Sequence, residues 1–162
     1  MAYACVRTDN MSGTIMGKDL VSAKYYVGET ETAIENGNVV VIGGYLDGER
    51  EVRKATAPTA DSKLADCALV ATPEVVKSKS RNNLDEFINE AGALIRCYRL
   101  VEPKQIFSIT KEAFVDGVVP AVGYVVELAE GTKFSAVETA SGATVVGSVI
   151  AIEGEWYVVE VA

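Results

Sequence analysis

Apolar residues along this chain fall in short runs, many Val-rich and several alternating with polar positions, and Gly, Pro, Asn or Asp punctuate the gaps. That pattern belongs to strands rather than helices. Leu20 to Val27 is rich in β-branched and aromatic residues, and Asn38 to Ile42 follows an Asn36-Gly37 turn signal. Asp47-Gly48 is a second turn, after which Glu51 to Ala55 returns as a hairpin partner with mixed charge on one face. Thr56 to Ser62, with Pro58, reads as a loop. Leu64 to Thr72 reads as a buried strand stopped by Pro73, which lacks the N–H that a central ladder needs.

Helical grammar is clear in one place. Asn83 stands at an N-cap position and Glu86 three residues on completes a capping-box-like pair. Leu84, Phe87, Ile88 and Ala91 share one face, and Gly92 is a stop. This predicts an amphipathic helix near 83–91, with Asp85, Asn89 and Glu90 on its solvent side. Strands resume at Leu94 to Leu100, Ile106 to Ile109, Val122 to Leu128, Lys133 to Glu138, Thr144 to Ile152 and Trp156 to Val161. Asp116-Gly117, Glu130-Gly131, Ser141-Gly142 and Glu153-Gly154 punctuate the later runs, as in a small antiparallel barrel or sandwich. The expected fold is therefore mainly β (α+β), with short antiparallel strands, one amphipathic helix and a C-terminal barrel or sandwich. The expected organisation is an N-terminal arm over 1–18, a β-rich domain over 19–102 and a small antiparallel β domain over 103–162.

Composition changes this picture little but narrows the chemistry. With 49% hydrophobic and 23% charged residues in 162, the chain can bury a core and is neither disordered nor collagen-like. It has no histidine, which removes imidazole as general base, as metal ligand and as the partner of a catalytic Ser or Cys. Cys5, Cys67 and Cys97 are odd in number and widely spaced, unlike a CxxC metal pair or a disulfide framework, and read as reduced thiols. No basic n-region precedes an apolar core at the N-terminus and no run approaches a membrane span, so synthesis in the cytoplasm without membrane insertion is expected.

Charge is uneven. Residues 1–81 carry ten Lys/Arg against eleven Asp/Glu, net −1, whereas residues 82–162 carry five against twelve, net −7 of the total −8. Such a balance disfavours binding to nucleic-acid phosphates or anionic lipid.

The candidate motifs for catalysis are weak. Gly43-Gly44 with Gly48 lacks the GK[ST] ending and the GxGxxG spacing of phosphate loops and reads as a hairpin turn. Asp85 with Glu86, and Glu153 with Glu155, are carboxylate pairs without the placement of an acid/base couple. No EF-hand run occurs. Neither catalytic residues, metal ligands nor a cofactor are expected, and the chain is read as a non-enzyme. The concentrated basic cluster Lys77, Lys79 and Arg81 reads either as a solvated loop or as a contact for an acidic partner, such as the acidic half of a neighbouring copy.

The layout RTDNMSG (Arg7 to Gly13), AIENGNVVVIGG, GEREVRKA, LVATPEVV, NLDEFINEAG, RCYRL and a Val/Gly-rich end closing YVVEVA resembles the capsid decoration, or cement, proteins of tailed bacteriophages. The resemblance implies a structural virion protein on the outer capsid surface that bridges major capsid subunits, often as a homotrimer, with no cofactor. It makes the N-terminal arm, with Arg7, Asp9 and Asn10, a contact element alongside Lys77, Lys79 and Arg81. The residues themselves leave a second reading of the arm, in which Tyr3 to Val6 pairs as a first core strand. Other β-rich virion components (a tail-tube or head-fibre protein) and a carbohydrate-binding module remain as alternatives. The acidic C-terminal unit is expected to face solvent and the near-neutral half to make the lattice contacts.

Overall fold

The structure is a computed structural model and describes residues 3–7, 19–74 and 87–162. It is mainly β, with eleven strands among the described residues. Six come first: β1 (Leu20–Val27), β2 (Thr30–Glu31), β3 (Val39–Tyr45), β4 (Val52–Thr56), β5 (Cys67–Val70) and β6 (Ile95–Arg99). Five follow: β7 (Ile106–Thr110), β8 (Val125–Leu128), β9 (Phe134–Val137), β10 (Val145–Glu153) and β11 (Trp156–Val161).

The first sheet runs β2-β1-β4-β3-β5-β6, and β6 pairs back onto β1, so β1, β4, β3, β5 and β6 form a closed barrel. A ring with an odd number of strands cannot alternate direction all the way round, so one neighbouring pair must be parallel. That pair is β1–β4, in register Ser22↔Val52 to Tyr25↔Ala55, while the other four are antiparallel. Alternation puts Val21, Ala23 and Tyr25 of β1 inside, with Val40, Ile42, Ala55, Ala68, Val70, Ile95 and Cys97.

The second sheet has the order β7-β11-β10-β8-β9, all antiparallel. It curls until the chain just past β7 meets β9: Phe114 bridges Phe134 in parallel and Val115 N donates to Phe134 O at 2.8 Å. The parity is the same, but here one bridge stands where the first barrel has a full ladder. The C-terminal unit, expected as a small barrel or sandwich, is thus an antiparallel curled sheet, and the ladder that closes completely belongs to the N-terminal half.

The two sheets share a wall. Residues of β3 and β5 that do not enter the barrel, namely Val39, Cys67 and Leu69, belong to one continuous core with Phe107, Ile109, Phe114, Val126, Phe134 and Val159 of the second sheet. Burial on both faces explains why VVVI and CALV are unbroken apolar runs. Backbone bonds reinforce the joint, with Val39 N to Thr132 O at 2.8 Å and Thr144 N to Ala60 O at 2.8 Å.

Two expectations are revised. The helix near 83–91 is not formed in its described part: Phe87 and Ile88 are irregular, and Asn89 is bridged antiparallel to Ile34. Gly92, at φ 78°, closes a turn into β6. The cap pair Asn83 and Glu86 lies outside the described residues. The strand expected from Leu64 begins instead with a 3-10 turn at Leu64–Asp66, followed by β5. At the N-terminus, residues 3–7 run along the free edge of β7: Val6 bridges Ile109, Arg7 N donates to Ser108 O at 3.0 Å, and Ala4, Cys5 and Val6 are buried.

Candidate functional site

Of the residues expected to touch a partner, Asp9, Asn10, Lys77, Lys79 and Arg81 lie outside the described residues. Arg7 is described, and it is fastened to the second sheet. Its guanidinium stands 5.9 Å over the Trp156 ring and 4.0 Å from Glu153 at the β10–β11 turn.

Both ends of the chain flanking the basic cluster converge on Asn36. The Asn36 carboxamide donates to Thr72 O (2.9 Å) and Glu74 Oε1 (3.3 Å) and accepts from Thr72 N (3.1 Å) and Asn89 Nδ2 (3.1 Å). Its two N–H donors and its carbonyl oxygen are therefore all used. Asn89 Nδ2 also donates to Ile34 O at 3.0 Å. Asn36 and Asn89 are both buried, and Glu74 is half-buried. Burial pushes the Glu74 carboxyl above its ordinary range, and the bond from Asn36 works against that rise. The adjoining turn holds the N-terminal segment as well: Ala4 N donates to Glu35 Oε2 at 3.2 Å. Gly37, at φ 82°, lies so close to Cys5 that a Cβ would meet the Cys5 carbonyl at 2.9 Å. Asn36-Gly37 was legible as a turn; that it also clasps three distant segments was not, because those partners come from the fold.

All three cysteines are free and buried. Burial pushes Cys97 up to about 12 and Cys67 up to about 11, the latter helped by Asp66, so both are protonated at neutral pH. Among the described residues no three His, Cys, Asp or Glu side chains are grouped to hold a metal ion. A cavity of about 380 Å3 beside the turn after β7 has mixed charge, with Glu35, Glu112 and Asp116 facing Lys111 and Lys133. Buried Glu127 is also structural, accepting from Ser141 N at 2.8 Å and Ser141 Oγ at 2.6 Å to hold the Ser141-Gly142 turn.

The barrel's outer wall carries a ladder of paired charges. Lys24 and Tyr26 both donate to Glu31 (3.0 and 3.1 Å), and Lys54 pairs with Glu29 at 3.0 Å while lying 5.1 Å from the Tyr26 ring. The bond to Glu31 raises Lys24, and the bonds from Lys24 and Tyr26 lower Glu31. At one end of the barrel, Arg50, Arg53 and Arg99 line a cleft of about 370 Å3 with Tyr45 and Glu51. Arg50 and Arg53 lie three residues apart on the β3–β4 hairpin, but Arg99, on β6, joins them only through the fold. No helix among the described residues is long and apolar enough to cross a membrane.

No protein-family model matches this chain, and no curated protein or solved structure does either.

Proposed function

We propose that this protein is a capsid decoration protein of a tailed bacteriophage, binding the outside of the assembled head and bridging major capsid subunits as a homo-oligomer, a trimer by the resemblance. The observation that carries the reading, beside the sequence layout, is the shared wall of β3 and β5. It packs two small β units into one block with outer surfaces of different character, an arginine-lined cleft on one unit and acidic turns on the other. A bridging protein needs separate contact surfaces on one body. The buried polar groups described above hold chain segments, which suits a scaffold. Decoration also requires no covalent chemistry: many weak contacts made only by an intact lattice stabilise it by mass action and multivalency.

In this reading Asp9, Asn10, Lys77, Lys79 and Arg81 contact the capsid, the near-neutral half faces the lattice, and the acidic sheet is turned away from the shell, toward solvent and neighbouring copies. The test is to mix the purified protein with expanded, undecorated heads and with unassembled capsid protein. Saturable binding to heads alone, with raised resistance of the heads to heat, is the expected result. Failure to bind intact heads would overturn the reading. Because Ala4 to Val6 are core residues, the arm is tested by Asp9→Ala with Asn10→Ala rather than by deletion. Unchanged affinity would remove the arm from the contact.

A further inference from the structure

The arginine cleft differs from the rest of the barrel surface in how its charge is used. Lys24 and Lys54 are each ion-paired within the chain, at 3.0 Å. Arg50, Arg53 and Arg99 line one cleft with a single carboxylate, Glu51, and none of the three makes an ion pair among the described residues. Two are positioned by neutral contacts. Arg53 Nη1 donates to Gly43 O at 3.1 Å, with the guanidinium stacked 4.1 Å from the Tyr45 ring, and Arg99 Nη1 donates to Ala65 O at 3.2 Å. Each contact fixes a guanidinium and leaves most of its five N–H donors uncommitted. Arg50 is exposed, and Tyr45 is 56% exposed. Oriented arginines beside an exposed tyrosine are what protein interfaces favour, and the fork of Arg matches a carboxylate bidentately.

We propose that this cleft binds the acidic C-terminal sheet of a second copy of the chain, head to tail. The complement is present on the same molecule: residues 82–162 carry twelve carboxylates against five basic residues. At the β10–β11 turn Glu153 and Glu155 flank Gly154; Glu155 is exposed, and Glu153, 56% exposed, stands at the 4.0 Å limit of an ion pair with Arg7 and keeps its outer side open. Because cleft and sheet are different surfaces, the contact is heterologous and closes a ring when its rotation permits. The inference rests on the homo-oligomer part of the proposed function and not on its capsid part.

Sedimentation of the full chain across a concentration series tests it. Association should weaken as NaCl rises from about 0.05 M to about 0.5 M, because screening shortens the reach of surface charge. Arg50→Glu with Arg99→Glu should weaken it at least ~10-fold, as losing charge-assisted pairs implies. Arg50→Glu alone, at an exposed side chain, guards against misfolding of the double variant. Lys104→Glu, the same charge change as Arg50→Glu at an exposed residue outside the cleft, should leave association unaltered. Mixing the Arg50/Arg99 variant with Glu153→Arg/Glu155→Arg should restore association in pairs or even-numbered rings, since the first keeps the acidic turn and the second the cleft, and an odd ring cannot alternate the two. A wild-type chain that stays monomeric overturns both this inference and the homo-oligomer reading. An oligomer indifferent to Arg50→Glu overturns the cleft alone. Capture of a single-stranded oligonucleotide by wild type but not by Arg50→Glu would make it a phosphate site and overturn the inference too.

Discussion

Asn36 ties strand-flanking segments from three parts of the chain with one carboxamide, and Asn89 repeats the device from the other side. Asn36→Ala leaves Asn89 Nδ2, which is buried, and Thr72 N and O, which are half-buried, each short of a partner, so a loss of about 2–3 kcal/mol is expected in chemical denaturation. Glu74 offers a test with a sign. Its folded pKa lies above the ordinary carboxyl value of 4.5, so between the two values the native state holds more proton than the unfolded one, and stability falls as pH rises through that window. Glu74→Gln removes the buried charge and keeps an acceptor for Asn36. It should therefore be more stable than the parent at pH 7, with the difference vanishing below pH 4.5. A variant less stable at neutral pH would show that the charge itself is wanted there.

At the scale of elements, β10 carries the sharpest constraint. It breaks register with β8 between Val145 and Gly147, and with β11 between Val149 and Ala151. A Cβ on Gly147 would run into the Glu160 carbonyl of β11. Gly147→Ala must push the two strands apart and should cost at least about 2 kcal/mol, read as a lowered denaturation midpoint. The ends of β11 agree with the run Trp156 to Val161 because an exposed Glu-Gly-Glu turn and alternating residues mark them in the sequence. The misread helix shows the opposite case. The capping residues and apolar spacing of Asn83 to Gly92 are local signals, but a helix that short is marginal until something packs on it. In the fold Asn89, expected on a solvent face, is 3% exposed because its backbone and carboxamide are both taken by the chain at Ile34 and Asn36.

For the whole molecule, the continuous core across β3, β5 and the second sheet implies that the two units unfold together. Trp156 reports on the second sheet, and amide exchange of β1 and β6 reports on the barrel. Their transitions should coincide, and Leu69→Ala, in the shared wall, should lower both by about 2–5 kcal/mol. Separate transitions would mean that the wall does not couple the units. The same packing carries the proposed function, since a bridging protein transmits load only if its contact surfaces belong to one body.

The strands, most of their turns and the mainly β class followed from sequence alone, because alternation and turn residues act over a few positions and record which face meets a core. The uneven charge and the missing histidine were equally plain there. Tertiary structure decided what depends on residues far apart in the chain. It made the N-terminal half the fully closed barrel, through a parallel β1–β4 pair that an odd ring requires. It buried Asn36 and Asn89 as a clasp where local pattern showed a turn and a helix face. It also gathered Arg50, Arg53 and Arg99 into one cleft, because barrel closure sets β6 beside β1.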